Sequence, residues 1–328
     1  MKNFLFVFCT VFFAIASSPA QRAGVPHRSE EDLMLSYLGN AGWEITAGSI
    51  VILVDPYLSR IRAAAAAPGM PGASKEASDP RPLIGVNDPL IPDTAVIDAH
   101  ITNADYILVS HSHFDHLMDV PYIAKKTGAT VIGTESTTNV MRAHGISDGK
   151  LITVKGGEDY SFGSFSLRVI PSLHLALDSK HYFDSGVIPR TVEVPLRRRD
   201  LAEGGTLAFL IRMGKHHLLV FGSNNFIENE ITGLRPDVLI AGPDIVPFGP
   251  PKEETYQYTR RLMRALDCPS EVIPTHWDNF MQPYDASQDE YVKRLEPFEE
   301  EIKSACPKTR FIVPKYFDPI VLTRQRGP

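Results

Sequence analysis

Tyr106-Ile107-Leu108-Val109-Ser110-His111-Ser112-His113-Phe114-Asp115-His116 is the stretch that decides how this chain is read. Ile107, Leu108 and Val109 form a short apolar run of the kind that makes a buried strand. Four groups able to bind a metal follow it within six residues: His111, His113, Asp115 and His116. One histidine at a strand end usually meets only water or backbone, but imidazole and carboxylate in this density are the usual zinc ligands outside thiolate sites. If the backbone stays extended, residues 111, 113 and 115 project to one side and His116 to another, because strand side chains alternate. Three donors on one side and one displaced suit two adjacent metal positions better than one. The spacing is not that of a zinc finger, and no His-Glu-x-x-His helix is present.

Working outward, Met118–Lys126 reads as a helix with Tyr122 and Ile123 inward, 129–132 as a strand, and 136–144 as a helix closed by Gly145. Strand, helix, strand, helix in this order indicates an α/β layering. Upstream, 33–38 and 50–54 read as strands separated by a turn region at 39–48, with Trp43 a core residue. Downstream, 151–154, 160–162, 165–170, 206–213 and 217–221 read as strands, which leaves His216 and His217 at a surface turn. Val238–Ala241 and 272–273 are further strands, and Tyr258, Leu262 and Leu266 fall at helical spacing in a helix over 253–266. A helix over 287–304 and a strand over 311–313 complete the reading.

Two stretches interrupt it. Residues 59–98 carry many Pro and Gly and few periodic apolar positions, as a flap bordering a site would. Residues 176–204 contain His181 and the run Arg197-Arg198-Arg199. Such a run is commonly a solvated loop; the alternative is an anion-binding group, since guanidinium matches carboxylate and phosphate geometry.

His111-Ser112-His113-Phe114-Asp115-His116 resembles the metal-binding signature of the metallo-β-lactamase superfamily. Gly39-Asn40-Ala41-Gly42, the strand 50–54 ending in Asp55-Pro56-Tyr57, and Pro274-Thr275-His276 extend the match over most of 33–280. The chain looks most like the broad hydrolase branch that contains ascorbate-phosphate lactonase and N-acylethanolamine phospholipase D-type enzymes. The resemblance implies a four-layer αββα sandwich over residues 21–328, with insertions near 59–98 and 176–204. It implies one metal position from His111, His113 and His174, and a second from Asp115, His116 and His276, with Asp115 also a catalytic residue. Asp55 becomes a supporting partner for a metal-binding histidine, while Trp277 and His181 become candidates for contact with a small-molecule substrate; Trp277, Phe280 and Met281 read equally well as a plain core cluster.

One departure matters. The family's Gly-Asp-Thr/Ser segment supplies a carboxylate that bridges two metals, and here Gly222-Ser223-Asn224-Asn225 places Ser223 in that position. A neutral hydroxyl bridges two dications poorly. The second metal then binds weakly, or Asp244 stands in, or one ion binds alone. The expected cofactor is Zn²⁺, one or two ions, with other divalent metals open. The expected activity is that of a secreted hydrolase in which metal-activated water attacks an ester, lactone, amide or phosphodiester. Two other readings stay open: a binding protein whose catalysis is weakened by Ser223, and a mono-iron oxidoreductase.

The net charge of −6 offers no basic patch for nucleic acid. Lys2, the apolar stretch Phe4–Ala16 and Ser18-Pro19-Ala20 read as a cleaved signal over 1–20, too short for a membrane anchor, which points to a periplasmic or secreted protein. In that compartment Cys268 and Cys306 either pair or stay as buried thiols.

Overall fold

The computed structural model describes residues 33–66, 72–73, 79–175, 185–243 and 252–322. The first sheet contains β1 (Leu33–Gly39), β2 (Gly42–Ala47), β3 (Ile50–Val54), β4 (Tyr106–Leu108), β5 (Thr130–Gly133), β6 (Leu151–Thr153) and β14 (Pro319–Leu322), in the order β14-β1-β2-β3-β4-β5-β6. The second contains β7 (Asp159–Ser161), β8 (Phe165–Pro171), β9 (Leu207–Met213), β10 (His216–Phe221), β11 (Val238–Ala241), β12 (Glu271–Pro274) and β13 (Arg310–Phe311), in the order β13-β12-β11-β10-β9-β8-β7.

Each sheet has a parallel half, β3 to β6 and β10 to β13, and an antiparallel half. Because β1 and β3 both run antiparallel to β2, and β8 and β10 both antiparallel to β9, the carboxyl ends of β1, β3, β4, β8, β10 and β12 are the ends available to build a site. Ligands in α/β sheets bind beyond such ends.

Side-chain alternation assembles the layers. Ile52, Val54, Leu108 and Ile132 face the second sheet, where Val169, Phe209, Ile211, Val220, Ile240 and Ile273 meet them in one buried cluster. Leu53, Ile107, Val109 and Val131 point the other way, against α1 (Thr94–His100), α3 (Val120–Thr127) and α4 (Glu135–Ala143). On the far side Leu210, Leu219, Leu239 and Val272 pack against α5 (Glu228–Ile231), α6 (Lys252–Ala265) and α8 (Glu296–Ala305). The result is the four-layer αββα sandwich. Cys268 and Cys306 form a disulfide just before β12 and just after α8, away from the carboxyl end of β12. No helix among the described residues is long and apolar enough to cross a membrane.

Several local readings change. The turn region at 39–48 is mostly β2, whose Trp43 and Ile45 are fully buried between β1 and β3; polar Glu44 and Thr46 on alternate positions mask the strand. His216 is the first residue of β10, buried and hydrogen-bonded through Nδ1 to Asp237, rather than part of a surface turn. The flap 59–98 contains the start of α1, capped by Asp93, whose Oδ1 accepts the Val96 N–H at 3.2 Å. The expected helix 118–126 forms as α3, two residues late and preceded by a separate helical turn, α2 (Phe114–Leu117), and the expected helix 287–304 is divided into α7 (Asp289–Lys293) and α8. Proline at the first turn of α3 and of α8 favours a new start at each division.

Candidate metal centre

Chain direction changes at His113. The residue is extended (φ −62°, ψ 157°) and acts as the N-cap of α2, so Asp115 and His116 leave on a helical turn. The expected alternation of 111, 113 and 115 on one face therefore does not occur. The four signature donors divide two and two. His111 and His113 join His174, and Asp115 and His116 join His276; within each group the ligand atoms lie within 4.8 Å of one another. The two groups abut, with the His111 and His116 rings 3.8 Å apart. His174 follows β8 and His276 follows β12, so both sheets contribute from the same rim.

The first group is all imidazole. The rings of His111 and His113 are 4.9 Å apart, those of His111 and His174 4.9 Å, and those of His113 and His174 4.8 Å. Burial pushes all three pKa values down, reinforced by neighbouring histidines: His111 well below its ordinary value, His113 to about 3 and His174 to about 4. They are neutral imidazoles with lone pairs available. His174 Nδ1 lies 3.0 Å from the Leu175 carbonyl, which selects the tautomer with a free Nε2. The Ser110 hydroxyl donates to Asp55 Oδ2 and lies 3.1 Å from His111 Nδ1, which leaves it able to accept that N–H. His111 Nε2 is buried and has no hydrogen-bond partner among the described residues. Such an atom is costly unless a ligand engages it.

The second group contains the charge. Asp115 Oδ2 is 3.5 Å from His116 Nε2 and 3.4 Å from His276 Nε2. Burial alone would raise the Asp115 pKa, but His116 and His276 hold it far below the usual carboxylate range. Burial alone would lower the His116 pKa, and the Asp115 and Asp55 carboxylates outweigh it. Asp55 Oδ2 accepts Nδ1–H of His116 at 2.9 Å, which turns Nε2 toward the centre. Asp55 Oδ1 also accepts the Ser110 N–H at 2.7 Å, so one carboxylate aligns both groups.

A buried network fixes the second group further. Asn40 Nδ2 donates to the Asp115 carbonyl at 2.7 Å and to its Oδ2 at 3.2 Å, while the Asn40 carbonyl accepts the His276 N–H at 2.6 Å. Asp278 in turn accepts the Asn40 N–H at 2.9 Å and the Tyr37 hydroxyl at 2.8 Å, and pairs with Arg60 at 2.7 Å. Asn40, Asp55 and His276 all adopt left-handed backbone (φ 54°, 41° and 53°). Strained non-glycine conformations gather at functional sites, where the surroundings impose them. Sequence reasoning does not find Arg60, Ser110 or Asp278. Asp278 stands two residues beyond His276 and Asn40 lies inside Gly39–Gly42, so proximity to motifs was their one signal. Asp119, three residues beyond the signature, is also unforeseen: it accepts the Leu58 and Ser59 N–H groups at 2.7 and 2.8 Å, and burial pushes its pKa up to about 6.

Ser223 is buried, and its hydroxyl accepts the Leu175 N–H at 3.0 Å, which steadies the loop carrying His174. Gly222 before it is required, since an added Cβ would stand 1.9 Å from Ser110 Oγ and 2.4 Å from Asp55 Oδ2. Trp277 lies in the inter-sheet core, 6.0 Å from the Tyr37 ring, whereas Phe280 lies 5.4 Å from His276 at the centre. Asp244 and His181 fall outside the described residues.

These donors fit a divalent cation: buried imidazoles, one ionised carboxylate and an orphaned ring nitrogen, with His111, His116, His174 and Asp115 aligned by hydrogen-bonding neighbours. Residues 34–276 match the family model described as the beta-lactamase superfamily domain. A metal-dependent hydrolase of Staphylococcus aureus (strain Newman) is 32% identical over 123 residues, 37% of this chain and 51% of that protein. The chain thus spans about half the length of the curated relatives it matches. A metallo hydrolase from Ignicoccus hospitalis superposes with a TM-score of 0.56 at 15% identity, covering 90% of this chain and 100% of that one. A diiron β-hydroxylase from Streptomyces venezuelae superposes with a TM-score of 0.53 at 17% identity, covering 90% of this chain and 54% of that one. Fold, donor set and matched span agree: the chain belongs to the metallo-β-lactamase superfamily.

Proposed function

We propose that this chain is a metal-dependent hydrolase acting on an ester, lactone, amide or phosphodiester, with zinc as its metal. The observation that carries the reading is the pair of abutting donor groups, His111/His113/His174 and Asp115/His116/His276. The zinc assignment rests on the imidazole-rich set. A divalent cation held there makes water acidic enough to react near neutral pH and polarises a carbonyl or phosphoryl oxygen.

The chain's own groups do the rest. Asp55 and the Leu175 carbonyl fix ring tautomers so that nitrogen lone pairs converge. Asn40 orients Asp115, whose ionised carboxylate would help hold a cation with His116 and His276 and accept a hydrogen bond from the attacking water. Ser223 supplies no carboxylate, so the second group holds its cation less tightly than the first. Export is part of the same proposal, supported by the apolar stretch Phe4–Ala16 and by the Cys268–Cys306 disulfide, a bond of oxidising compartments.

Metal analysis combined with turnover of an ester, lactone, amide and phosphodiester panel, before and after His113→Ala, tests the reading. Zinc and turnover lost together in the variant support it. A metal-free wild type, or turnover indifferent to the substitution, rejects it, and a protein that binds only iron and oxidises substrates points to the redox alternative.

A further inference from the structure

The three consecutive arginines have different surroundings. Arg199 is exposed and donates to Asn87 Oδ1 at 2.8 Å. The Arg197 backbone N–H donates to Asp200 Oδ2 at 2.9 Å, holding the segment in a tight turn. Arg198 turns inward. Its guanidinium carbon lies 4.8 Å from the centre of the Phe114 ring, and Phe114 stands between the metal-centre residues His113 and Asp115 in the chain.

One end of that guanidinium is anchored, since Nη1 donates to the Ala64 carbonyl at 2.5 Å. Its Nε is buried and has no hydrogen-bond partner among the described residues. The backbone around it is pinned to the flap by Leu90 N–H to the Leu196 carbonyl (2.7 Å), Arg199 N–H to the Val86 carbonyl (3.1 Å) and a Pro89–Arg197 bridge. The half-buried cation is thus held in place against the Phe114 ring. The nearest aromatic wall, Tyr57, Phe114 and Phe280, links it to His276 through ring contacts of 6.0, 6.3 and 5.4 Å.

We propose that Arg198 is a specificity-determining residue which receives an anionic group, carboxylate or phosphate, carried by the substrate beside its scissile bond. The assignment rests on the hydrolase reading for the word substrate, but its physical content is a charge preference in binding. A buried guanidinium N–H without a partner is satisfied best by an anion, and a guanidinium already stacked on a ring and fixed at one end loses little freedom on binding it. The Asp115 carboxylate also acts on the Arg198 charge, which places the two within electrostatic reach.

The test is calorimetric binding of 4-acetamidobenzoate and of its uncharged counterpart 4-acetamidobenzamide to the zinc-loaded protein, in wild type, Arg198→Met and Arg198→Lys. The carboxylate ligand is expected to bind roughly 10-fold tighter than the carboxamide in wild type. Arg198→Met is expected to abolish that difference while leaving carboxamide affinity within about 2-fold, and Arg198→Lys to keep part of it, since lysine retains the charge without the fork. Equal affinity for both ligands in wild type, including no measurable binding of either, overturns the proposal. So does a loss in Arg198→Met that affects both ligands alike, the signature of a purely structural arginine. Turnover is read separately. Charge-selective binding without hydrolysis would sink the hydrolase reading alone, and hydrolysis without charge preference would sink this inference alone.

Discussion

The two donor groups at the rim are built on different principles. His111, His113 and His174 are three neutral rings whose pKa values burial has lowered, with light backbone and hydroxyl support. Asp115, His116 and His276 carry a carboxylate and sit in a dense polar network of Asp55, Asn40, Asp278 and Arg60. The first group is completed by a residue on the second sheet, the His174 that follows β8. The second has Ser223 where the resemblance expects a bridging carboxylate, and its own donors are held by more hydrogen bonds. The contrast teaches that donors lacking an expected neighbour can still be held in register by the polar groups around them.

The largest effect that would break the contrast is loss of the first group. His113→Ala is expected to lower kcat/KM by roughly three orders of magnitude, because the chemistry depends on a cation held there. Zinc content measured on the same preparation should fall with it. Removing the support of the second group acts less severely. Asp55→Asn is expected to weaken metal affinity by about 10–100-fold, the usual cost of losing the partner of a ligating histidine. A competition titration with a chelator should show the more weakly held ion released first in wild type, and more easily still in the variant.

Restoring the missing carboxylate sharpens the comparison in the other direction. Ser223→Asp is expected to raise zinc stoichiometry toward two per chain and to increase activity by a few-fold, at roughly 1 kcal/mol of stability for the lost hydroxyl contact with Leu175. Unchanged stoichiometry and activity would show that the absent bridge is not what limits the second group. The smallest effect on the site comes from the disulfide. Reducing Cys268–Cys306 is expected to cost about 2–4 kcal/mol of stability by the loop-closure argument, seen as a lower Tm, while metal content stays constant.

Much of this was legible in the chain because the signal was local. Residues 111–116 carry their chemistry in six consecutive positions, and the apolar runs at β3, β4 and β11 mark strands that are buried apart from the half-buried Ile50, Val51 and Tyr106 at their starts. The division of the signature donors was not legible. It depends on the helical turn that starts at Phe114, and a short polar helix leaves no periodic pattern over four residues. The network of Arg60 and Asp278 was invisible for another reason. Its members are 218 positions apart, and nothing in either neighbourhood announces that the two will be buried together. β2 was hidden by alternation of the ordinary kind, polar on one face and core on the other, in a segment that begins and ends near glycines.

The central claim is that two unequal cation positions lie side by side at one rim. Anomalous diffraction at the zinc edge, from crystals equilibrated with limiting and then excess zinc, measures it directly. The account predicts that the peak among His111, His113 and His174 fills first, and that a second, partly occupied peak follows among Asp115, His116 and His276. Zinc bound elsewhere, or both peaks filling equally at limiting metal, would contradict it.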